Sequence, residues 1–250
     1  MTAPRILDDR APNALDRWKQ KLSTARSALR DPSFVGKRQL RCPLCDYCGL
    51  FRWFGDPPRR DAQCPSCKSL ERDRLIKVCF DQHPEWVRGG RTLHFAPEPA
   101  VAAIVKPRTA DYATADIVQG RADKVLDIED MRTEDSDSYD WIVCSHVLEH
   151  VDDRKALREL NRILKPDGVL MLMFPLVSGW DHTYEDPSIT TAAGRLRFFG
   201  QHDHLRFYGA DVRDRITSAG FALSEFTAEE PYVSRYGLIR GYKLFFATER

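Results

Sequence analysis

The sequence predicts an α/β chain: a doubly wound, mostly parallel sheet with a small metal-held module ahead of it. Three observations lead there. Between residues 92 and 174, short apolar runs of strand length alternate with amphipathic stretches of helical period, the pattern of a parallel sheet covered by helices. The 250 residues allow about one to two domains. Four of the seven cysteines fall in two close pairs between residues 42 and 67. The first residues, MTAPRILDDRAPNALDRWKQ, hold no apolar leader core, so the expected location is the cytoplasm, where clustered thiols bind metal rather than pair as disulfides.

Composition narrows the class. Apolar residues make up 42% and charged residues 30%, which fits a globular chain and not a disordered one. The longest apolar run, VLMLMFPLV at 169–177, is shorter than the roughly 20 residues that cross a bilayer, and Pro175 interrupts it. The net charge of +1 hides an asymmetry: residues 1–90 carry 18 Lys and Arg against 11 Asp and Glu, and residues 91–250 carry 20 against 26. A basic first third suits either a mixed solvated surface or contact with an anionic polymer.

Along the chain, residues 1–37 read as an arm. Leu15, Trp18, Leu22 and Leu29 at helical spacing suggest a short amphipathic helix, ended by Asp31-Pro32. Residues 38–70 carry little periodic apolar signal and are rich in Cys, Pro and Arg, as expected of a module held by metal. Residues 71–250 form the main domain. A helix begins in SLERDRLIKVCFDQH, with Leu70, Leu75, Val78 and Cys79 as its apolar positions. Strands are expected at 92–95, 111–114, 141–144 and 169–174, with helices at 98–106 and 153–164. The second helix is amphipathic through Leu157, Leu160, Ile163 and Leu164 and stops at Pro166-Asp167-Gly168. Segments 221–226 and 242–248 read as closing strands. The long irregular stretch 175–208 lies beyond a strand carboxyl end, where α/β sheets place substrate sites.

Cys42-Pro43-Leu44-Cys45 and Cys64-Pro65-Ser66-Cys67 form two C-x2-C knuckles joined by the segment 46–63. Four thiolates so spaced can surround one Zn²⁺, and a closed four-sulfur site is structural. Cys48 is within reach and could replace Cys45. Cys79 and Cys144 sit in apolar patterns and read as core. Phe51, Trp53 and Phe54 read as the module's small core, or as a surface for a partner.

The α/β part carries a cofactor pattern. The TLHF strand ends at Phe95 and turns through Ala96-Pro97-Glu98-Pro99 into a helix. The interval from Ala96 to Asp116 suits an acid on ribose hydroxyls at the end of the next strand. Asp127 follows in KVLDIEDM, then YDWIVCSHVLEHV and ILKPDGVLMLMF. The run 140–174 resembles class I S-adenosylmethionine-dependent methyltransferases of the methyltransferase-11 type. LHFAPEP, TYEDPSI and GQHDHLRFYG resemble bacterial members with an N-terminal zinc ribbon, and the resemblance covers about 38–225.

The resemblance implies a Rossmann-like, seven-stranded class I methyltransferase fold binding S-adenosylmethionine. It places Phe95, Ala96 and Glu98 in the first cofactor turn, Asp116 on the ribose, Asp127 and Ile128 at the adenine, and Ser145 and His146 beside the methyl donor. The usual glycines of the first turn are absent. Pro97 and Pro99 stiffen it and remove N–H donors, and Glu98 could instead hold the cofactor's ammonium group.

Methyl transfer asks the protein to align acceptor and methyl and, for a hydroxyl or ammonium acceptor, to remove a proton. His204, near an expected helix start, is the first candidate base and His146 the second; His150 and His202 lie close by. His146, Glu149 and His150 have i, i+3, i+4 spacing and resemble the E-x-x-E-H metal motif of ubiquinone-pathway O-methyltransferases, with packing and capping by Glu149 as the other reading. The expected acceptor is a small molecule or glycan methylated at oxygen. RNA gripped by the zinc ribbon, a protein acceptor, and a non-catalytic binding module on a relic fold are the alternatives; the linear sequence shows no cluster of Lys and Arg with aromatics to favour RNA.

Overall fold

The computed structural model describes residues 39–55, 57–87 and 89–249; the arm and helix expected within 1–37 lie outside the described residues. Two compact units divide them: one runs up to Pro84 and includes Ala228–Tyr242, and the other comprises Glu85–Thr227 and the residues from Lys243 on. The boundary expected at residue 70 is therefore displaced, because the first unit takes the next helix and a segment from near the chain's end.

The first unit holds two antiparallel hairpins, β1 (Leu40–Arg41) with β2 (Cys48–Gly49), and β3 (Arg52–Phe54) with β4 (Arg59–Gln63). Strands this short bury little. Leu40, Cys42, Phe51 and Cys64 form the buried cluster, with Leu44 and Tyr47 against it. Helix α1 (Glu71–Gln82) starts where the Asp73 carboxylate accepts the Leu70 N–H at 2.8 Å, and Glu71 and Asp73 in its first turn complement its dipole. Arg74 is fully buried and explains the moved boundary. Its guanidinium donates to the carbonyls of Ala62 (3.0 Å), Ser69 (2.8 Å), Tyr236 (2.7 Å) and Gly237 (2.8 Å), and lies over the Phe51 ring. A buried charge needs such a full set of acceptors, and the distant segment 228–242 supplies two of them. Phe51 is core, whereas Trp53 and Phe54 are 41% and 43% exposed, which corrects the core reading for these two and leaves them as surface.

The second unit is built on a seven-stranded sheet. In chain order come β5 (Arg91–Phe95), α2 (Pro99–Val105), β6 (Asp111–Asp116), β7 (Lys124–Val125), β8 (Tyr139–Ser145), α3 (Asp153–Ile163) and β9 (Leu164–Met173). A two-stranded ribbon of β10 (Tyr184–Glu185) and β11 (Arg206–Phe207) brackets α4 (Ala192–Phe199). Then follow α5 (Val212–Ser218), β12 (Phe221–Thr227) and β13 (Lys243–Glu249). The strand order is β12-β13-β9-β8-β5-β6-β7; β13 runs antiparallel to β9 and β12, and the other pairs are parallel. This is the seven-stranded, Rossmann-like sheet the sequence predicted. Strand β7, the ribbon and α4 were not expected, since such short strands carry no periodicity. Every β8 residue except Asp140 is buried, as helix-covered parallel strands require. Helix α3 turns Ala156, Leu157, Leu160 and Ile163 inward, each large side chain contributing about 1.5–3 kcal/mol. The Asp152 carboxylate caps it, accepting from the Arg154 and Lys155 N–H groups.

The chain leaves β5 toward β6 and β7 and returns to β8 on the other flank of β5. That reversal places a crevice beyond the carboxyl ends of β5 and β8.

Candidate active site and cysteine centre

The first residues past β5 and β8 are both bent into the left-handed region: Ala96 has φ 44° and His146 φ 56°. Non-glycine residues enter it at a cost of about 1–3 kcal/mol. Both bends are pinned, the Ala96 N–H on the Ala115 carbonyl (2.8 Å) and the His146 N–H on the Met173 carbonyl (2.7 Å). The two strands thus stop abruptly at the switch point. Ala96 takes a conformation suited to the missing glycine, and its single methyl group keeps the turn narrow.

Across the crevice, the Ser145 hydroxyl donates to Glu98 Oε2 at 3.4 Å. Glu98 precedes α2 without capping it through its side chain. At the end of β6, Asp116 Oδ1 accepts the Val118 N–H at 2.8 Å, which orients the carboxylate and leaves Oδ2 for a hydroxyl donor. Ile117 beside it is 65% exposed, an apolar platform that suits a planar base and that sequence reasoning passed over. Asp127 is exposed, and its Oδ1 accepts the Glu129 N–H. Phe95 and Ile128 are 3% and 5% exposed and belong to the main core, so these two offer a ligand only main-chain groups.

The histidines are arranged otherwise than predicted. Residues 148–150 form one 3-10 turn and α3 begins only at Asp153, so His146, Glu149 and His150 do not share a regular helical face. His146 Nδ1 lies 3.0 Å from Glu149 Oε1. Glu149 is fully buried. His150 Nδ1 turns to Asp203 at 3.4 Å. His204 is not at a helix start; it lies in the loop just before β11, its Nδ1 is 3.2 Å from the Phe199 carbonyl, and its ring stands edge-on to His150 at 4.7 Å. Burial lowers the His204 pKa, with the nearby Glu149 charge opposing it. His202 stays at the surface.

A polar clamp holds these groups together. The Leu205 N–H donates to the Glu149 carbonyl at 2.8 Å, and Arg206 donates to the carbonyls of Leu148 (3.0 Å) and Val151 (2.6 Å). Arg206 and Arg215 both donate to Glu185 at 2.8 Å, and Arg215 also reaches Asp153 at 3.0 Å. Burial opposes ionisation of Glu185, but the two guanidiniums outweigh it and hold its pKa at about 2. Gly209 is required by closeness: a Cβ there would collide with the His182 backbone. TYEDPSI and GQHDHLRFYG, the segments that carry the resemblance to zinc-ribbon methyltransferases, supply this clamp through Glu185, Arg206 and Gly209.

In the cysteine module, Cys42 and Cys67 sulfurs are 3.5 Å apart and Cys45 and Cys64 sulfurs 3.7 Å, and all four donors lie within 4.8 Å of one another. Tetrahedral Zn²⁺ with bonds of about 2.3 Å sets sulfurs about 3.8 Å apart, so the donor set fits. Cys48 is outside the cluster. Cys144, like Cys79, is buried in the core. A separate concavity of about 420 Å³, lined by residues including Arg154, Arg158 and Arg215, contains none of the predicted cofactor residues. No helix among the described residues is long and apolar enough to cross a membrane.

Residues 28–225 match the family model described as a methyltransferase domain, type 23 where the motifs resembled type 11. No curated protein matches significantly. Among solved structures, the 1,6-didemethyltoxoflavin-N1-methyltransferase of Burkholderia thailandensis, with S-adenosylhomocysteine bound, is 12% identical with a TM-score of 0.50, covering 72% of this chain and 79% of that one. The cyclase SpnF is 14% identical with a TM-score of 0.51, covering 71% and 81%. A methyltransferase from Mesorhizobium loti is 14% identical with a TM-score of 0.49, covering 70% and 100%. At such identities the likeness is one of fold, and the cyclase illustrates that this fold leaves the chemistry to the site.

Proposed function

This chain belongs to the methyltransferase domain family, as a class I enzyme dependent on S-adenosylmethionine, and we propose that it methylates a hydroxyl of a small molecule or glycan. The observation that carries the reading is the pairing of His146 with Glu149 at the switch point, beside Ser145 and Glu98. An imidazole held at Nδ1 by a carboxylate is oriented to accept a proton at Nε2. Such a base has a use when the acceptor atom must lose a proton.

When bound, S-adenosylmethionine supplies a methyl group already activated on sulfonium. Asp116 would accept from its ribose hydroxyls, Ile117 would offer an apolar face to its adenine, and the Glu98 carboxylate would hold its ammonium group. Ser145 keeps Glu98 turned toward the crevice. The clamped 181–208 segment positions the acceptor and excludes water. His146 takes the hydroxyl proton. His204, the first candidate by sequence, is set aside for that role because it is 6% exposed and packed edge-on against His150. Four thiolates leave Zn²⁺ no open position, so the metal at Cys42, Cys45, Cys64 and Cys67 holds the small unit together.

One observation favours a second reading, an RNA acceptor. The β3–β4 hairpin exposes Arg52, Trp53, Phe54, Arg59 and Arg60, with the Arg60 guanidinium 5.1 Å from the Trp53 ring centre, the kind of aromatic and cationic surface on which bases stack. The cluster is also visible in the linear sequence, in FRWFGDPPRR at 51–60, which corrects the reading that no such cluster is present.

Calorimetry with S-adenosylhomocysteine tests the cofactor half. Asp116→Ala leaves ribose donors unpaired and weakens binding by about 1–3 kcal/mol, roughly five- to 150-fold; unchanged affinity refutes that placement. RNA binding that falls with salt and with Trp53→Ala selects the second reading over the first.

A further inference from the structure

Next to the crevice lies a cluster in which His150, His204 and one oxygen of Glu149 take no part in the transfer chemistry above. One donor atom each of Glu149, His150 and His204 lies within 4.8 Å of the others. We propose that these three residues bind a divalent transition-metal ion, distinct from the four-cysteine centre, with coordination positions left open for an oxygen of the acceptor.

Three independent features converge on this. First, the His204 imidazole is tied by Nδ1 to the Phe199 carbonyl at 3.2 Å, and His150 Nδ1 faces the Asp203 carboxylate at 3.4 Å. Hydrogen bonding at Nδ1 fixes the tautomer in which Nε2 carries the lone pair, the state in which histidine ligates metal. Second, Glu149 is fully buried, its Oε1 is engaged by His146, and its Oε2 is buried with no hydrogen-bond partner. A buried carboxylate oxygen without a donor is costly, and a cation at that oxygen removes the cost. Third, the donors come from two segments locked in register by main-chain bonds. The Leu205 N–H donates to the Glu149 carbonyl, and Arg206 donates to the carbonyls of Leu148 and Val151. The ligands are therefore preorganised, and small side-chain adjustments bring them to bonds of about 2.0–2.2 Å.

Two histidines and one carboxylate suit Zn²⁺ or Fe²⁺ rather than Mg²⁺ or Ca²⁺, which prefer all-oxygen sites. Three protein ligands leave room for an exogenous oxygen, and the complex keeps one net positive charge that attracts it. The link to the acceptor rests on the reading of the protein as a hydroxyl methyltransferase; the binding of metal does not. Glu149 would then serve both functions, Oε1 orienting the base His146 and Oε2 holding the ion that makes the acceptor hydroxyl more acidic.

The test is a Zn²⁺ titration of the full chain, purified with its cysteine centre loaded, followed by calorimetry and metal analysis. The native chain takes up one further equivalent. His150→Ala, at a partly exposed ring, and Glu149→Gln each weaken that uptake at least about tenfold, and Asp203→Ala, which removes the carboxylate facing His150 Nδ1, weakens it about ten- to hundredfold. S-adenosylhomocysteine affinity, measured on the same samples, stays within about twofold in His150→Ala and reports separately on the cofactor reading. No further Zn²⁺ equivalent in the native chain overturns the proposal. So does a further equivalent bound with unchanged affinity by both His150→Ala and Glu149→Gln.

Discussion

Replacing Glu185 by glutamine probes the clamp that carries His204 to the crevice. The carboxylate receives Arg206 and Arg215, each at 2.8 Å, and the arginine side chains are 9% and 11% exposed. A carboxyl group held at about 2 instead of the usual 4.5 prefers its ionised form by about 3.4 kcal/mol, at about 1.36 kcal/mol per pH unit. The Glu185 side chain is 37% exposed, so solvent screening reduces the stabilisation to about 1–2 kcal/mol. Because the folded pKa is depressed, this contribution is fully present above about pH 4.5 and is lost as the pH falls toward about 2. Urea unfolding of wild type and Glu185→Gln at a series of pH values from 7 to 2.5 measures it. The difference between the two proteins carries the information, since other groups also protonate in acid and affect both alike. Wild type should exceed the variant at pH 7 by that screened amount, and the two curves should converge near pH 2.5. A gap below about 0.5 kcal/mol at pH 7, no more than an ordinary surface pair gives, or one that does not narrow in acid, refutes the assignment of the clamp to this charge.

His146→Ala should lower kcat by roughly 10²–10⁴ once an acceptor is identified, with S-adenosylhomocysteine affinity nearly unchanged; a fall of less than tenfold gives the proton to another group. Cys64→Ser should lose the structural zinc and unfold the small unit, while Cys48→Ser keeps one Zn²⁺ per chain by metal analysis. Gly209→Ala should cost about 1–3 kcal/mol in thermal or urea unfolding, because its methyl group meets the His182 backbone.

What could be read from the sequence is what short-range physics decides. Strand and helix periods gave the parallel strands and α3, because burial of one face or both is written into neighbouring residues. The convergence of Cys42, Cys45, Cys64 and Cys67 was legible because each knuckle closes within a single tight turn. The position of Asp116 at the end of its strand was legible because the helix and strand between it and the first turn have a narrow range of lengths. Only the tertiary structure decided which partner each histidine meets. Helical spacing put His146, Glu149 and His150 on one face, but a 3-10 turn replaces the helix there, and His150 turns to Asp203. His204 arrives from beyond α3, β9 and α4 in the chain to meet His150. The same holds for Arg74, which needed the carbonyls of Tyr236 and Gly237, and so fixed a domain boundary that composition placed at residue 70. The orientation of Phe95 and Ile128 toward the core, and of Ile117 toward solvent, was also out of reach. An apolar residue at a strand end fits either a core or a ligand platform, and only the elements packed around it determine which.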